Sequence, residues 1–248
     1  METFRPCGSS SDRSLGLGRR MTAELEPESA WAIDDTGFPK QGDHPVGVER
    51  QYSGTLGKTG NRQVAVRLHH AGAQSSAALN WRLYLPETWI GDQQRRAEAG
   101  IPKEAEFREK WQLALEMIAE VRGWGLTDRM VVADAGYGDG AEFRDGLGAR
   151  RLPCVAGVSS QLGAGAKPPR IHLPGYCGRG QPPARYQYGK QRPGSVRDVA
   201  LHAKGWKRIR RREGSKGWLE SRFVAVRVQP SHGFVEGEPP HEEVWLLA

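Results

Sequence analysis

The sequence predicts an α/β fold in which a mixed sheet is flanked by helices, and three observations carry that expectation. Residues 63–70, QVAVRLHH, alternate apolar and polar as a half-buried strand does. Residues 104–125 hold one long amphipathic helical pattern. Residues 130–133, MVVA, form a short unbroken apolar run, the type buried on both faces of a parallel pairing.

Taken in order, the first 24 residues are rich in Ser, Gly and Arg with little to bury, which predicts a disordered tail. Acids interrupt that stretch and no amphipathic period runs through it, which argues against a transit peptide, and Met21 offers an alternative start. Order is expected from SAWAIDDTG onward, where Trp31 to Ile33 form a short strand ending in Asp34, Asp35 and a Thr-Gly turn. A loop rich in Gly and Lys leads to the strand at 63–70, and a second strand is expected at 77–86. The helix places Phe107, Trp111, Leu115, Ile118 and Val121 on a core face, with Gly123 as its stop. After the strand at 130–133 come a short helix near 140–147 and a buried strand at 152–158. Further strands are expected near WKRIRR and RFVAVRV, and in EEVWLLA at the end.

With 248 residues the chain reads as one domain over 25–248, carrying a basic, Pro- and Gly-rich insertion at about 162–204. Between Lys167 and Arg212 there are thirteen Lys or Arg against one acid, Asp198. Over the whole chain Lys plus Arg exceed Asp plus Glu by 36 − 29 = 7, with a pI near 9.5, which points to a polyanionic partner such as nucleic acid. Cys7, Cys154 and Cys177 have no metal-ligand spacing and no disulfide framework, as in a reducing cytoplasm. No run approaches the length that spans a bilayer, so no membrane is expected as a partner.

Two readings compete for VVADAGYGDG, 131–140. As D-x-G-x-G-x-G after a strand it fits the first motif of methyltransferases that use S-adenosylmethionine. Against this, the next strand ends in Ser159, Ser160 and Gln161 rather than in a ribose-binding acid, and three strands and a helix precede the motif. The plainer reading is that Gly136, Gly138 and Gly140 permit a tight strand-to-helix turn. Asp134 then becomes a strand-end carboxylate, like Asp34 and Asp35. If the two strands are neighbours, acids separated by 134 − 35 = 99 residues converge where α/β sheets place function. Such a pair repels itself unless a cation joins it, and Mg²⁺ keeps water and phosphate oxygens beside a few carboxylates. That is the chemistry of phosphodiester cleavage.

Several blocks then carry a family resemblance: IDDTGFPKQG (33–42), VGVERQYSGTLGKTGNRQVAV (46–66), WRLYLPETW (81–89), VVADAGYGD (131–139) and LPCVAGV (152–158). Together they resemble the DDE superfamily transposases, or endonucleases, of bacterial insertion sequences, and residues 206–228 and 242–248 resemble that family's continuation. The resemblance implies a ribonuclease H-like mixed sheet: three antiparallel strands, a helix, then parallel strands. It carries the first family aspartate, which directly precedes Thr, to Asp35, and the second to Asp134. Each would hold a divalent metal, Mg²⁺ or Mn²⁺, while water or a DNA 3′-hydroxyl attacks the phosphodiester. The family's third acid is a Glu on a helix beyond the strand that 242–248 begin, so the resemblance implies a domain incomplete at the C-terminus, a transposase fragment. Glu242 and Glu243 precede that strand and do not replace it.

The implied partner is double-stranded DNA, at the element's ends and at the target, in the bacterial cytoplasm at the nucleoid. A second copy or an intact transposase would be the protein partner. Lys207, Arg208, Arg210, Arg211 and Arg212 are candidates for phosphate contacts, with Lys40 and Lys58 as further candidates in loops near the site. His69 and His70 occupy opposite-facing strand positions, so at most one can face any given site. The alternatives are a non-catalytic DNA-binding protein that modulates transposition, and the methyltransferase.

Overall fold

The structure, a computed structural model, describes residues 28–53, 57–73, 75–165, 171–172, 175–181, 187–188, 194–215, 217–230 and 243–247. The tail expected over 1–24 lies outside these residues. The chain divides into two compact units, Met1–Gly157 and Val158–Ala248.

At the centre of the first unit lies β1 (Ser29–Pro39). On one side it pairs antiparallel with β3 (Lys58–Gly72), with Asp35 opposite Val66. On the far edge of β3 lie β2 (Glu49–Ser53) and β4 (Ser76–Leu83), both antiparallel to it. On its other side β1 pairs parallel with β5 (Met130–Ala133), which pairs parallel with β6 (Cys154–Ala156). The order β4-β3-β1-β5-β6, with three antiparallel strands followed by two parallel ones, is the ribonuclease H-like arrangement.

Strand lengths depart from the sequence reading. The Thr-Gly turn expected after Asp35 is strand, because β3 keeps pairing with β1 as far as Pro39 opposite Arg62. Residues 58–62, expected as loop, are strand as well, and β2 supports them from the other edge. These stretches carry little apolar alternation because they run beyond the core, where nothing selects one buried face.

Two short helices, α1 (Glu87–Gly91) and α2 (Gln93–Glu98), follow β4. Trp89 of α1 is fully buried and its indole N–H donates to the Val48 carbonyl at 2.8 Å. The long helix α3 (Lys110–Gly123) starts three residues after Phe107, which stays outside it. The Gln112 side chain accepts from the Glu109 N–H at 2.8 Å, satisfying one donor at the helix start. The helix continues through Gly123, and Gly125, at φ +86°, turns the chain away.

Leu113, Leu115, Met117, Ile118 and Val121 of α3 pack on Trp31 and Ile33 of β1, Val66 and Leu68 of β3, and Val131 of β5. Burying each such side chain is worth roughly 1.5–3 kcal/mol, so this face anchors the helix to the sheet. Phe143 and Leu147, from α5 (Ala141–Ala149), complete the core. Between β5 and α5 lies the single turn α4 (Ala135–Gly138).

The second unit is mostly strand. Its sheet runs β10 (Gly194–Ser195), β7 (Gly163–Gly165), β12 (Gly217–Pro230), β11 (Lys207–Gly214), and β13 (Glu243–Leu247) also pairs with β12. A separate two-residue pairing joins β8 (Ile171–His172) to β9 (Gln187–Tyr188). The helix α6 (Val196–His202) opens on Ser195, whose hydroxyl accepts from the Asp198 N–H at 3.1 Å while the Asp198 carboxylate accepts from Ser195 N–H at 3.0 Å. Among the described residues no helix is long and apolar enough to cross a membrane.

Candidate active site

The parallel pairing of β1 with β5 ends at Ile33 opposite Ala133. Directly beyond that pair come Asp34 and Asp35, within β1 as it runs on to Pro39, and Asp134, the residue that follows the end of β5. Side chains alternate along β1, so Asp34 and Asp35 face opposite sides of the sheet. Asp35 shares the side of Trp31 and Ile33, under the start of α3; Asp34 shares the other with Arg67, which it binds at 2.6 Å. The two aspartates therefore have separate chemistry despite being neighbours.

Asp35 is the better held of the two, with a side chain 24% exposed against 49% for Asp34. Lys110, the first residue of α3, places its ammonium on Oδ2 of Asp35. The Tyr137 hydroxyl donates to Oδ1. The ring of Tyr137 is buried in the core, with its centroid 5.5 Å from that of Phe143. Burial first, then the charge of Asp35 and the hydrogen bond to it, then the charges of Asp134 and Asp34, push the phenol far above the ordinary tyrosine range. The hydroxyl is a permanent donor within the field of all three carboxylates.

Asp134 is exposed and caps α4, its Oδ1 accepting from the Gly136 N–H at 3.0 Å. The glycines after it serve a purpose other than the one expected. None of Gly136, Gly138 and Gly140 adopts the left-handed backbone that a tight turn can demand. Gly138 is needed for closeness: a Cβ there would lie 1.9 Å from the Gly157 carbonyl oxygen and 2.9 Å from the Ala156 side chain. The chain after β6 holds its place through the Gly157 N–H donating to the Ala133 carbonyl at 2.8 Å. The space left by Gly138's missing side chain is filled by the protein's own backbone, and nothing in the turn favours a nucleotide-like cofactor.

Lys40 and Lys58 stand apart from this centre. Lys40 is five residues past Asp35, about 17 Å of extended strand, and Lys58 is eight residues along β3 from Val66, about 27 Å. Lys58 is on a strand rather than in a loop. His70 is buried, whereas His69, on the side of Asp34, lies with its ring 5.8 Å from Trp81. His70 lies on Asp35's side but four residues along β3 from Val66, Asp35's register partner, so neither histidine joins the carboxylate group; burial, then Arg67, lowers the pKa of His69.

In the second unit β11 and β12 form a basic ribbon. Arg208 lies opposite Arg222 and Arg210 opposite Glu220, on one side of it. Glu220 binds Arg210 at 3.0 Å and lies 3.7 Å from Arg208, offsetting part of their charge. The guanidinium of Arg210 sits 5.8 Å from the ring of Trp218, and that of Arg222 5.6 Å from Trp206. Lys207 is exposed; the side chains of Arg211 and Arg212 lie outside the described residues.

Sequence reasoning missed Lys110, Tyr137 and Arg222. Tyr137 stands inside the acid-bearing motif, where the glycines drew the attention, and Lys110 opens a helix read only for its packing. The signal for Lys110 was topological, since a helix that leads into a parallel strand begins beside that strand's carboxyl end.

Among the described residues no three His, Cys, Asp or Glu side chains converge on one point. The carboxylate oxygens of Asp35 and Asp134 are the donor type that a hard divalent ion takes while keeping much of its water shell. The ammonium of Lys110 already stands in for a cation on Asp35.

Comparison with known proteins gives a concordant result. The sequence profile described as DDE superfamily endonuclease matches residues 6–218. A probable transposase for insertion sequence element IS701 from Microchaete diplosiphon is 31% identical over 129 residues, which is 52% of this chain and 31% of that protein. The alignment thus covers less than a third of that relative's length.

Proposed function

The chain belongs to the DDE superfamily of endonucleases, and from that premise we propose that it acts as the transposase of an insertion sequence, cleaving and rejoining DNA strands with a divalent metal. The reading is supported by one observation above the rest: Asp35 and Asp134 lie just beyond the last parallel pair of β1 with β5, and the buried Tyr137 between Asp134 and the core donates its hydroxyl to Asp35. Asp35 and Asp134 are the residues that would hold Mg²⁺ or Mn²⁺. A bound ion supplies Lewis acidity at the scissile phosphodiester and acidifies the attacking hydroxyl.

The chain's own residues do the rest. Tyr137, fixed in the core, orients Asp35 by donating to Oδ1. Strand alternation puts Asp34 on the opposite side of the sheet, where Arg67 pairs with it, so that only one carboxylate of the two joins Asp134. Lys207, Arg208 and Arg210 neutralise phosphates on double-stranded DNA, a contribution that is strongly salt dependent and blind to sequence.

The test is cleavage of plasmid DNA carrying the element's ends, in Mg²⁺ or Mn²⁺. Asp35→Asn and Asp134→Asn are each expected to lower the rate by about a hundredfold or more, since loss of groups that merely support ligands already costs about 10–100-fold. Undiminished cleavage by Asp35→Asn would end the reading.

The basic ribbon favours a second reading, a DNA-binding protein that modulates an intact transposase. It predicts salt-sensitive DNA binding that survives Asp35→Ala together with Asp134→Ala, with no cleavage by the unmutated chain.

A further inference from the structure

Asp35 has two partners of opposite mobility. Tyr137 is a rigid one, because its ring is buried against Phe143 and only its hydroxyl reaches Oδ1. Lys110 is the reverse: its backbone is fixed in the first turn of α3, but its ammonium rides on a flexible four-carbon stem whose side chain is 36% exposed. That ammonium occupies Oδ2, the oxygen left over once Tyr137 has taken Oδ1. It also has somewhere else to go. The Tyr84 ring centre lies 5.4 Å from the ammonium, within the range where an aromatic face attracts a cation.

Resting on the reading of Asp35 as a metal ligand, we propose that Lys110 is a built-in counter-cation of the site, which a divalent ion must displace from Asp35 in order to bind. Lys110 is then a positioning residue that sets metal affinity. In the absence of metal it keeps a partly buried carboxylate paired and pointed, which spares the fold an uncompensated charge. Asp35 would hold the ion with its Tyr137 hydrogen bond kept, and the Lys110 ammonium would move aside towards Tyr84. Displacing a positive charge that stays nearby weakens metal binding, so removing it should strengthen binding.

The experiment is Mn²⁺ binding to the full chain without DNA, followed by calorimetry or by the spin-resonance signal of free Mn²⁺. Lys110→Met is expected to bind about tenfold more tightly than the unmutated chain, which is about 1.4 kcal/mol. Lys110→Arg, which restores the cation, is expected to return to the unmutated affinity. A merely structural role for Lys110 predicts the opposite, weaker binding by Lys110→Met because Asp35 loses its orientation. Unchanged or weaker binding by Lys110→Met, with binding still dependent on Asp35, would overturn the proposal and leave the metal-site reading standing. If Asp35→Asn binds as the unmutated chain does, both fall together.

A measurement on the unmutated chain guards against a variant that fails to fold. Labelling of Lys110 by an amine-acylating reagent is expected to rise when Mg²⁺ is added, and to be high without Mg²⁺ in Asp35→Asn. Labelling that ignores Mg²⁺ counts against displacement.

Discussion

The unit built on β1 and the unit built on β12 use their residues in contrasting ways. Among the described residues, seventeen buried side chains form the first unit's core, including Trp31, Phe143 and the apolar face of α3. The corresponding cluster in the second unit holds four: Ala164, Val196, Val224 and Val228. The difference teaches what each can do. A carboxylate pair needs its backbone held to a fraction of an ångström, and a thick core around β1 and β5 can supply that rigidity. A surface that meets a polyanion needs exposure, and the ribbon provides it: Arg208 is 75% exposed and Trp218 55%.

The contrast can be broken most forcefully at Gly138. Replacing it with Ala drives a Cβ into the Gly157 carbonyl, an overlap with backbone that no side-chain rotation relieves. A loss of about 3 kcal/mol is expected, at the upper end for overpacking, and thermal or denaturant unfolding measures it. A smaller effect is expected from Tyr137→Phe, which keeps the ring and deletes the donor to Asp35. Loss of a hydrogen bond to a charged group should cost about 2 kcal/mol of stability, and Mn²⁺ affinity should fall with it.

The ribbon should behave in the other way. Arg208→Ala, Arg210→Ala and Arg222→Ala are expected to leave the melting temperature nearly unchanged. Each that contacts a phosphate should reduce the slope of log affinity against log salt by about 1. A large loss of stability in these variants would erase the distinction drawn between the units.

The smallest expected effect is in α6. Hydrogen bonds from the Ser195 backbone and then from its hydroxyl lower the pKa of Asp198. A carboxylate whose folded pKa is depressed stabilises the fold above its unfolded value, and that contribution disappears as pH falls through the lowered folded value. With the intrinsic pH dependence of exchange divided out, amide protection at the start of α6 should therefore fall on acidification, and Ser195→Ala should remove most of this dependence.

Much of the first unit was legible because its core imposes periodicity. The helical face of α3 is a consequence of burial, whereas in the apolar run at 130–133 only Val131 is fully buried and Met130 is exposed. The polar extension of β1 and β3 was not legible, since its strands are held by backbone pairing that leaves no mark on side-chain type. The strand-end acids were visible as acids after apolar runs, but their partners were not. Tyr137 and Lys110 reach Asp35 from 102 and 75 residues away in sequence.

Residue order alone was enough to mark strands at 63–70 and 130–133, the amphipathic helix and the acids that follow apolar runs, because each leaves a local pattern of polarity, and the family resemblance supplied the mixed sheet. Three dimensions were required to put Asp35 and Asp34, already told apart by the family resemblance, in different surroundings, to give Gly138 its reason, and to seat an ammonium on the carboxylate. Those outcomes depend on which side of a strand faces which helix, and on ångström-scale distances between segments that share no local pattern.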